Sequence, residues 1–313
     1  MNAITVKNEN ELVQYKNVEM SELLDRFIRY IEVSPLSTRS YIYGIKAFFK
    51  YLSENGIKQP TRENVIEYKK HLLTTKANST VALYLSSLRR FFGWCSSENL
   101  YADITMGIKS PRVDAGHKRD ALSGEQLKKI INGMSRDSLK GLRDYAIFCL
   151  TAATGLRTIE IQRADICDIR NMGGEDCLFI CGKGRSSKTE FVKLSGHVMN
   201  AIQTYLRARG TVSDDEPLFV SCSHRNAGGR MTTRSISRIC KNAMRMSGFN
   251  SPRLTAHSLR HSAVTLALLA GLSLQEVSLF ARHSNISVTL IYSHDVERLR
   301  SKCEMAISEA IFG

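Results

Sequence analysis

From Met20 to Ser97 the apolar residues return at intervals of three and four through four successive segments, and nothing before residue 100 alternates as a strand would. Met20–Glu32 opens at Ser21, a good N-cap residue. Ser37–Glu54 aligns Tyr41, Ile45, Phe48 and Leu52 and stops at Gly56. Thr61–Leu73 follows Pro60 and aligns Val65, Tyr68 and Leu72. Ser79–Ser97 aligns Tyr84, Leu88, Phe91 and Phe92. Four such stripes can be buried only by packing helix on helix, which predicts a four-helix domain over residues 15–110. The periodicity then breaks across Lys109–Ala121, with Pro111, Gly116 and a run of charges, so a linker is expected at about 111–122.

A second domain, 123–313, is expected to begin with the capping box Ser123-x-x-Gln126. Helices are predicted at about 123–134, 138–153 and from Thr158. Between about 165 and 194 the period shortens to that of strands in DICDIR, EDCLFICGKG and KTEFVKLS, with Gly182, Gly184 and Ser186–Ser187 at the turn of a hairpin. After Ser195 the chain reads as helical to its end, in about six segments. The expected fold class is therefore mostly α, a helical domain followed by an α+β domain with one small antiparallel sheet.

The charge points to a class of partner. The chain carries 44 Lys+Arg against 30 Asp+Glu, a formal +14, split as +4 over residues 1–115 and +10 over the rest. A polyanion is implied, either nucleic acid or an anionic membrane surface, and neither half is a mere basic tail. The apolar run Ala263 to Leu274 is 12 residues long and interrupted, too short to span a bilayer, and MNAITVKNENE has no apolar signal core. A cytoplasmic protein without a membrane partner is expected. Its eight cysteines include no CxxC. Cys177 and Cys181 share a strand face without a second ligand pair, which suggests reduced structural thiols rather than zinc.

Several residues of the second domain suit phosphodiester chemistry. Arg157 follows Thr154-Gly155 at a helix start, where backbone donors and the helix dipole also favour an anion. His257 and Arg260 stand at i and i+3 on one helix face, anchored behind by Val264, Leu266, Leu268 and Leu269. Two guanidinium forks can hold both non-bridging oxygens of a phosphate and stabilise a pentavalent transition state. FARHSNISVTLIYSHD then supplies His283 and, nine residues on, Tyr292 as a candidate nucleophile. Carboxylates are sparse around these motifs, and the cluster Asp214–Glu216 reads as a solvated loop. GKGRSSK lacks Walker spacing. No metal and no cofactor are expected.

With these residues in order, the second domain resembles the catalytic domain of the tyrosine recombinases, the phage-integrase and Xer family. ATGLR-x-x-E gives Arg157 and Glu160, GKG gives Lys183, H-x-L-R-H gives His257 and Arg260, and H-S-N-I-S-x-T-x-x-Y gives His283 and Tyr292. The intervals from Arg157 are 26 residues to Lys183 and 103 to Arg260, with 32 more to Tyr292. The first domain resembles the family's core-binding domain, so the likeness covers about residues 20–312.

The resemblance implies a site-specific recombinase that works without metal or ATP through a 3′-phosphotyrosyl intermediate. Tyr292 would attack, Arg157 and Arg260 clamp the phosphate, and Lys183 protonate the leaving 5′-oxygen, with Lys188 as the alternative acid. His257 would take the tyrosine's proton and His283 would bond the phosphate. Glu160 is expected to position Arg157, while His261 and His294 are expected to lie outside the chemistry. Arg282 stands where the family usually has glycine.

The tail residues Leu299, Met305, Ile307, Ile311 and Phe312 fit an amphipathic helix. The resemblance implies that such a tail docks on a neighbouring subunit in a homotetramer on two duplexes; packing on its own domain is the alternative. Candidate DNA contacts are Arg39, Lys46, Lys50, Arg89 and Arg90 in the first domain. Those in the second are Arg230, Arg234, Arg238, Lys241 and Arg253. Two other functions stay open at this point, a type IB topoisomerase-like strand transferase and a catalytically silent DNA-binding protein.

Overall fold

A computed structural model describes residues 3–7, 15–113, 120–182, 187–210, 213–283 and 285–313, with side chains from residue 21 onward except those of residues 295, 299 and 300. The chain divides into two compact units, Met1–Asp114 and Ala115–Gly313.

The first unit opens with an antiparallel pair, β1 (Ala3–Lys7) and β2 (Tyr15–Glu19), in register from Ala3↔Glu19 to Lys7↔Tyr15. This corrects the all-helical expectation. Only Ile4 and Val6 alternate in AITVK, too short a pattern to register as a strand. Four helices follow: α1 (Met20–Tyr30), α2 (Pro35–Glu54), α3 (Arg62–Thr75) and α4 (Asn78–Ser97). Ser34 accepts the Ser37 N–H at the start of α2, with Pro35 in the first turn.

The core of this unit is aromatic. Phe91 meets Phe27, Phe49 and Phe92 edge to face, with centroids 5.2–5.8 Å apart, and each such pair adds about 0.5–1.5 kcal/mol beyond burial. α2 approaches α4 closely at Gly44, where a Cβ would stand 2.7 Å from Ser87 Oγ. Both ends of the expected linker are tied down. The Arg89 guanidinium donates to Ser110 Oγ and Asn78 to the Arg112 carbonyl in the first unit. In the second, Leu122 is buried and its N–H donates to Ser262 Oγ.

The second unit runs α5 (Gly124–Asn132), α6 (Leu139–Thr154), α7 (Thr158–Arg163), then a three-stranded sheet. The capping box is present, Ser123 Oγ accepting the Gln126 N–H and Gln126 the Ser123 N–H. The sheet is β3 (Ile169–Met172), β4 (Glu175–Ile180) and β5 (Glu190–Lys193), antiparallel in that order. Then come α8 (Gly196–Arg209), α9 (Thr233–Met246), α10 (Ala256–Leu269), α11 (Leu274–Ala281), α12 (Ser287–Arg300) and α13 (Cys303–Phe312). Buried α6 packs on α8, α9 and α10 around Ile147, Phe148, Leu150, Ile202 and Leu259. A smaller core of Val264, Leu268, Val277, Ala281, Tyr292 and Val296 joins α10, α11 and α12.

The tail differs from the expected single helix. Leu299 belongs to α12, and the chain breaks at Ser301–Lys302 before α13. α13 is exposed along its length, Phe312 and Met305 by 83% and 75%, so it is not packed on its own domain.

Candidate active site

Gly155 ends α6 in the left-handed region at φ +59, and its carbonyl accepts Arg260 Nη1 at 2.7 Å. A Cβ there would meet Ala263, Arg260 and Phe280 at 3.6–3.7 Å, ordinary contact distances. Glycine therefore serves the left-handed turn rather than a close approach of α10. The turn delivers Arg157 to the start of α7. There the Arg157 backbone N–H donates to Glu160 Oε2 at 2.7 Å and its Nη1 to Oε1 at 2.9 Å. The helix start thus already holds an anion, the chain's own buried carboxylate, and Glu160 positions Arg157 as its spacing suggested.

Arg260 is buried in α10 and donates to the carbonyls of Gly155 and Ala281. Burial, followed by the like charges of Arg157 and Arg282, brings its guanidinium down to about 10. Arg282 lies beside them with 7% of its side chain exposed. Three guanidinium groups thus gather around one carboxylate.

Tyr292, on α12, is buried in the small core of α10, α11 and α12 and feels the charge of Arg260. Its ring lies 4.7 Å from that of His261 and 6.2 Å from His283, the latter nearly parallel. Burial raises its hydroxyl pKa and the charge of Arg260 pulls it back. His283 Nδ1 hydrogen-bonds Thr289 Oγ1 at 2.8 Å. Burial, then Arg260, Arg157, Arg282 and His257, push His283 down to about 4, which leaves its imidazole neutral at neutral pH. His257 stands exposed on the first turn of α10. The structure therefore brings Arg157, His257, Arg260, His283 and Tyr292 into one neighbourhood.

Lys183 lies outside the described residues. The strand leading to it is held by Arg163, whose Nη1 donates to the Gly182 carbonyl at 3.2 Å. Lys188 is occupied elsewhere, bonded to Asp165 at 2.6 Å and also to Asp168. Burial alone would lower its pKa, but hydrogen bonds and charges from both carboxylates outweigh that and raise it. An ammonium held this way is a poor acid.

Three residues were not legible as neighbours of the site. His261 was expected outside the chemistry, yet it faces the Tyr292 ring, one helical turn after His257. Thr289 orients His283. Arg282 gave no sign that it turns inward.

The candidate DNA contacts fall into two groups. Arg39, Lys46, Arg90, Arg234 and Arg238 are exposed, and no partner holds them among the described residues. The others are engaged within the chain. Lys50 pairs with exposed Glu54, Arg89 with the Ile108 carbonyl and Ser110, and Lys241 with the Ser251 carbonyl. Arg253 pairs with Asp120, and Arg230 with Asp165 and the Gln162 carbonyl. Among the described residues, no cluster of His, Cys, Asp and Glu could hold a metal ion, and no helix is long and apolar enough to cross a membrane.

The sequence model of the phage integrase family matches residues 120–298, and that of the phage integrase N-terminal SAM-like domain matches residues 24–99. The chain belongs to the phage integrase family. Tyrosine recombinase XerC of Haemophilus influenzae (strain PittEE) is 31% identical over 288 residues, 88% of this chain and 93% of that protein. Tyrosine recombinase XerC of Escherichia coli O127:H6 is 27% identical over 294 residues, 90% and 95% of the two chains. Among solved structures, the XerH site-specific recombinase bound to difH substrate shares the fold with a TM-score of 0.70 at 18% identity, over 91% of this chain and 85% of that one. A lambda integrase dimer bound to a core site does so with a TM-score of 0.64 at 15% identity, over 86% and 96%. The tyrosine-recombinase fold expected from the motifs is therefore the fold observed.

Proposed function

We propose that this chain is a tyrosine-type site-specific DNA recombinase that cuts and rejoins duplex DNA. The observation that carries this is the position of Tyr292, a phenol that feels the charge of Arg260 and lies beside His283, two groups that in turn feel the charge of Arg157. Arg157 and Arg260 bind the non-bridging oxygens of the scissile phosphate, and neutral His283 adds a hydrogen bond. The Tyr292 oxygen attacks phosphorus as its proton passes to His257. The P–O5′ bond breaks, and the departing 5′-oxygen takes a proton from Lys183. The 3′-phosphotyrosyl ester keeps the energy of the broken bond, so a second 5′-hydroxyl can reverse the step on another strand without ATP.

The pairing of Lys188 with Asp165 and Asp168 favours Lys183 as the acid. The alternative readings, a type IB topoisomerase or a silent DNA-binding protein, gain no support, since the curated relatives are tyrosine recombinases. DNA is gripped by both units through the unpaired cations Arg39, Lys46, Arg90, Arg234 and Arg238. The exposed apolar face of α13 supports docking on a neighbouring subunit, in a homotetramer on two duplexes. The setting is cytoplasmic, where duplex DNA is available and all eight cysteines stay free.

The test uses a nicked duplex built on the sequence that the protein selects from a random library. The native chain is expected to form a covalent adduct that survives denaturation, and Tyr292→Phe to form none. An undiminished adduct with the phenylalanine variant would overturn the assignment.

A further inference from the structure

Arg282 ends α11 in the left-handed region, φ +52 and ψ +49, a backbone conformation that glycine adopts freely and a long side chain only at a steric cost. Its side chain nevertheless turns inward and is 7% exposed. Nη1 donates to the Phe280 carbonyl at 2.7 Å, Nη2 reaches Glu160 Oε2 at 3.4 Å, and Nε is buried without a hydrogen-bond partner among the described residues. The charged groups that face it are Glu160 and Glu190, which favour its charge, and Arg157, which opposes it; Arg260 and His283 feel its charge in turn. Packing a third cation beside Arg157 and Arg260, on a disfavoured backbone, is unfavourable in isolation. Something must be gained in return.

The stoichiometry of charge indicates what. Glu160 is wholly buried and already accepts two hydrogen bonds from Arg157. With Arg157 as its sole cationic partner, the carboxylate would cancel that guanidinium one for one. A second cation on the same carboxylate removes that cancellation. We propose that Arg282 is a positioning residue of the phosphate clamp, sharing the Glu160 carboxylate so that Arg157 and Arg260 both face the scissile phosphate with uncompensated charge. The inference rests on the recombinase reading of this site. Arg282 acts through Glu160 and Arg157 and does not itself touch the phosphate.

Single-turnover cleavage of the nicked duplex is compared in Arg282→Gly, Arg282→Lys, Glu160→Gln and the double variant Arg282→Gly/Glu160→Gln, with thermal melting of each. Arg282→Gly suits the left-handed backbone, so its melting temperature is expected to match or exceed that of the native chain. Its cleavage rate is expected to fall about ten- to a hundredfold, less than the roughly 10²–10³ for a donor that touches the developing charge, because Arg282 acts through Glu160 and Arg157. Arg282→Lys keeps the charge and is expected to recover most of the rate. In the Glu160→Gln background the carboxylate that Arg282 shares with Arg157 is gone, so Arg282→Gly should then cost less than about threefold. Cleavage by Arg282→Gly at the native rate would overturn the proposal, as would an equal loss in both backgrounds. A native chain that forms no adduct would instead overturn the recombinase reading, and this inference with it.

Discussion

Around Glu160 three guanidinium groups gather about one carboxylate, whereas around Asp165 and Asp168 two carboxylates meet one ammonium and one guanidinium, Lys188 and Arg230. Both clusters lie in the second unit and both are partly or wholly buried. The second is balanced: each charge has its partner, and nothing is left for a ligand. These pairs tie the segment Asp165–Asp168 after α7 to the residues before β5 and before α9. The first cluster sets three guanidinium groups against Glu160 and Glu190, a positive excess, and keeps Arg157 31% exposed. Such an imbalance is unfavourable in the empty protein and is relieved when an anion binds, which is what a phosphate site requires. Charge balance, more than burial or the number of polar residues, separates the site from the scaffold.

The largest expected effect concerns the two lysines near the hairpin. Lys183→Ala should lower cleavage about 10²- to 10⁴-fold, the usual contribution of a positioned acid. A substrate with sulfur in place of the bridging 5′-oxygen, whose thiolate leaves without a proton, should restore most of the rate. Lys188→Met should behave oppositely. It strands buried Asp168, while Asp165 keeps Arg230, so the fold should lose about 2 kcal/mol in a denaturant titration, tempered by the partial exposure of the lysine. Its cleavage rate under folded conditions should stay within about threefold of native. Rescue of Lys188→Met by the sulfur substrate would transfer the acid's role to the balanced cluster and break the comparison.

A smaller effect follows from His283, held at about 4 in the folded chain and at its ordinary 6.5 when unfolded. Between those values the unfolded chain binds more protons, so stability is full above about pH 6.5 and declines as pH falls toward 4. Melting curves across that window should flatten in His283→Asn. The smallest effect distinguishes free from committed cations. Arg234→Gln and Arg238→Gln should each reduce the salt slope of DNA binding by about 0.9 per lost phosphate contact. Arg230→Gln should lower the melting temperature and leave that slope unchanged.

Much of this was legible in the chain. The helices of the first unit follow from their apolar spacing because each is long enough for the pattern to repeat, and Ser123 with Gln126 marks the start of the second unit through a local hydrogen-bond pair. The order of Arg157, His257, Arg260, His283 and Tyr292 was readable because each sits in a short motif. What stayed hidden depends on distant partners or on backbone angles. Lys188 meets Asp165 and Asp168 from 23 and 20 residues away. Arg282 lies 122 residues from Glu160, and its inward turn follows from a positive φ that residue type does not announce. The strands β1 and β2 are five residues each, with Ile4 and Val6 alternating in the first and only Tyr15 and Val18 apolar in the second, too short a pattern to detect.

The proposed reaction requires that one phenol become esterified to a broken strand inside this excess of positive charge. Peptide mapping of the trapped protein–DNA adduct by mass spectrometry tests it most directly. Trypsin should release His283–Arg298 with the nucleotide phosphate on Tyr292, and no other peptide should carry it. A phosphate found on a serine, a histidine or another of the 11 tyrosines would contradict the account.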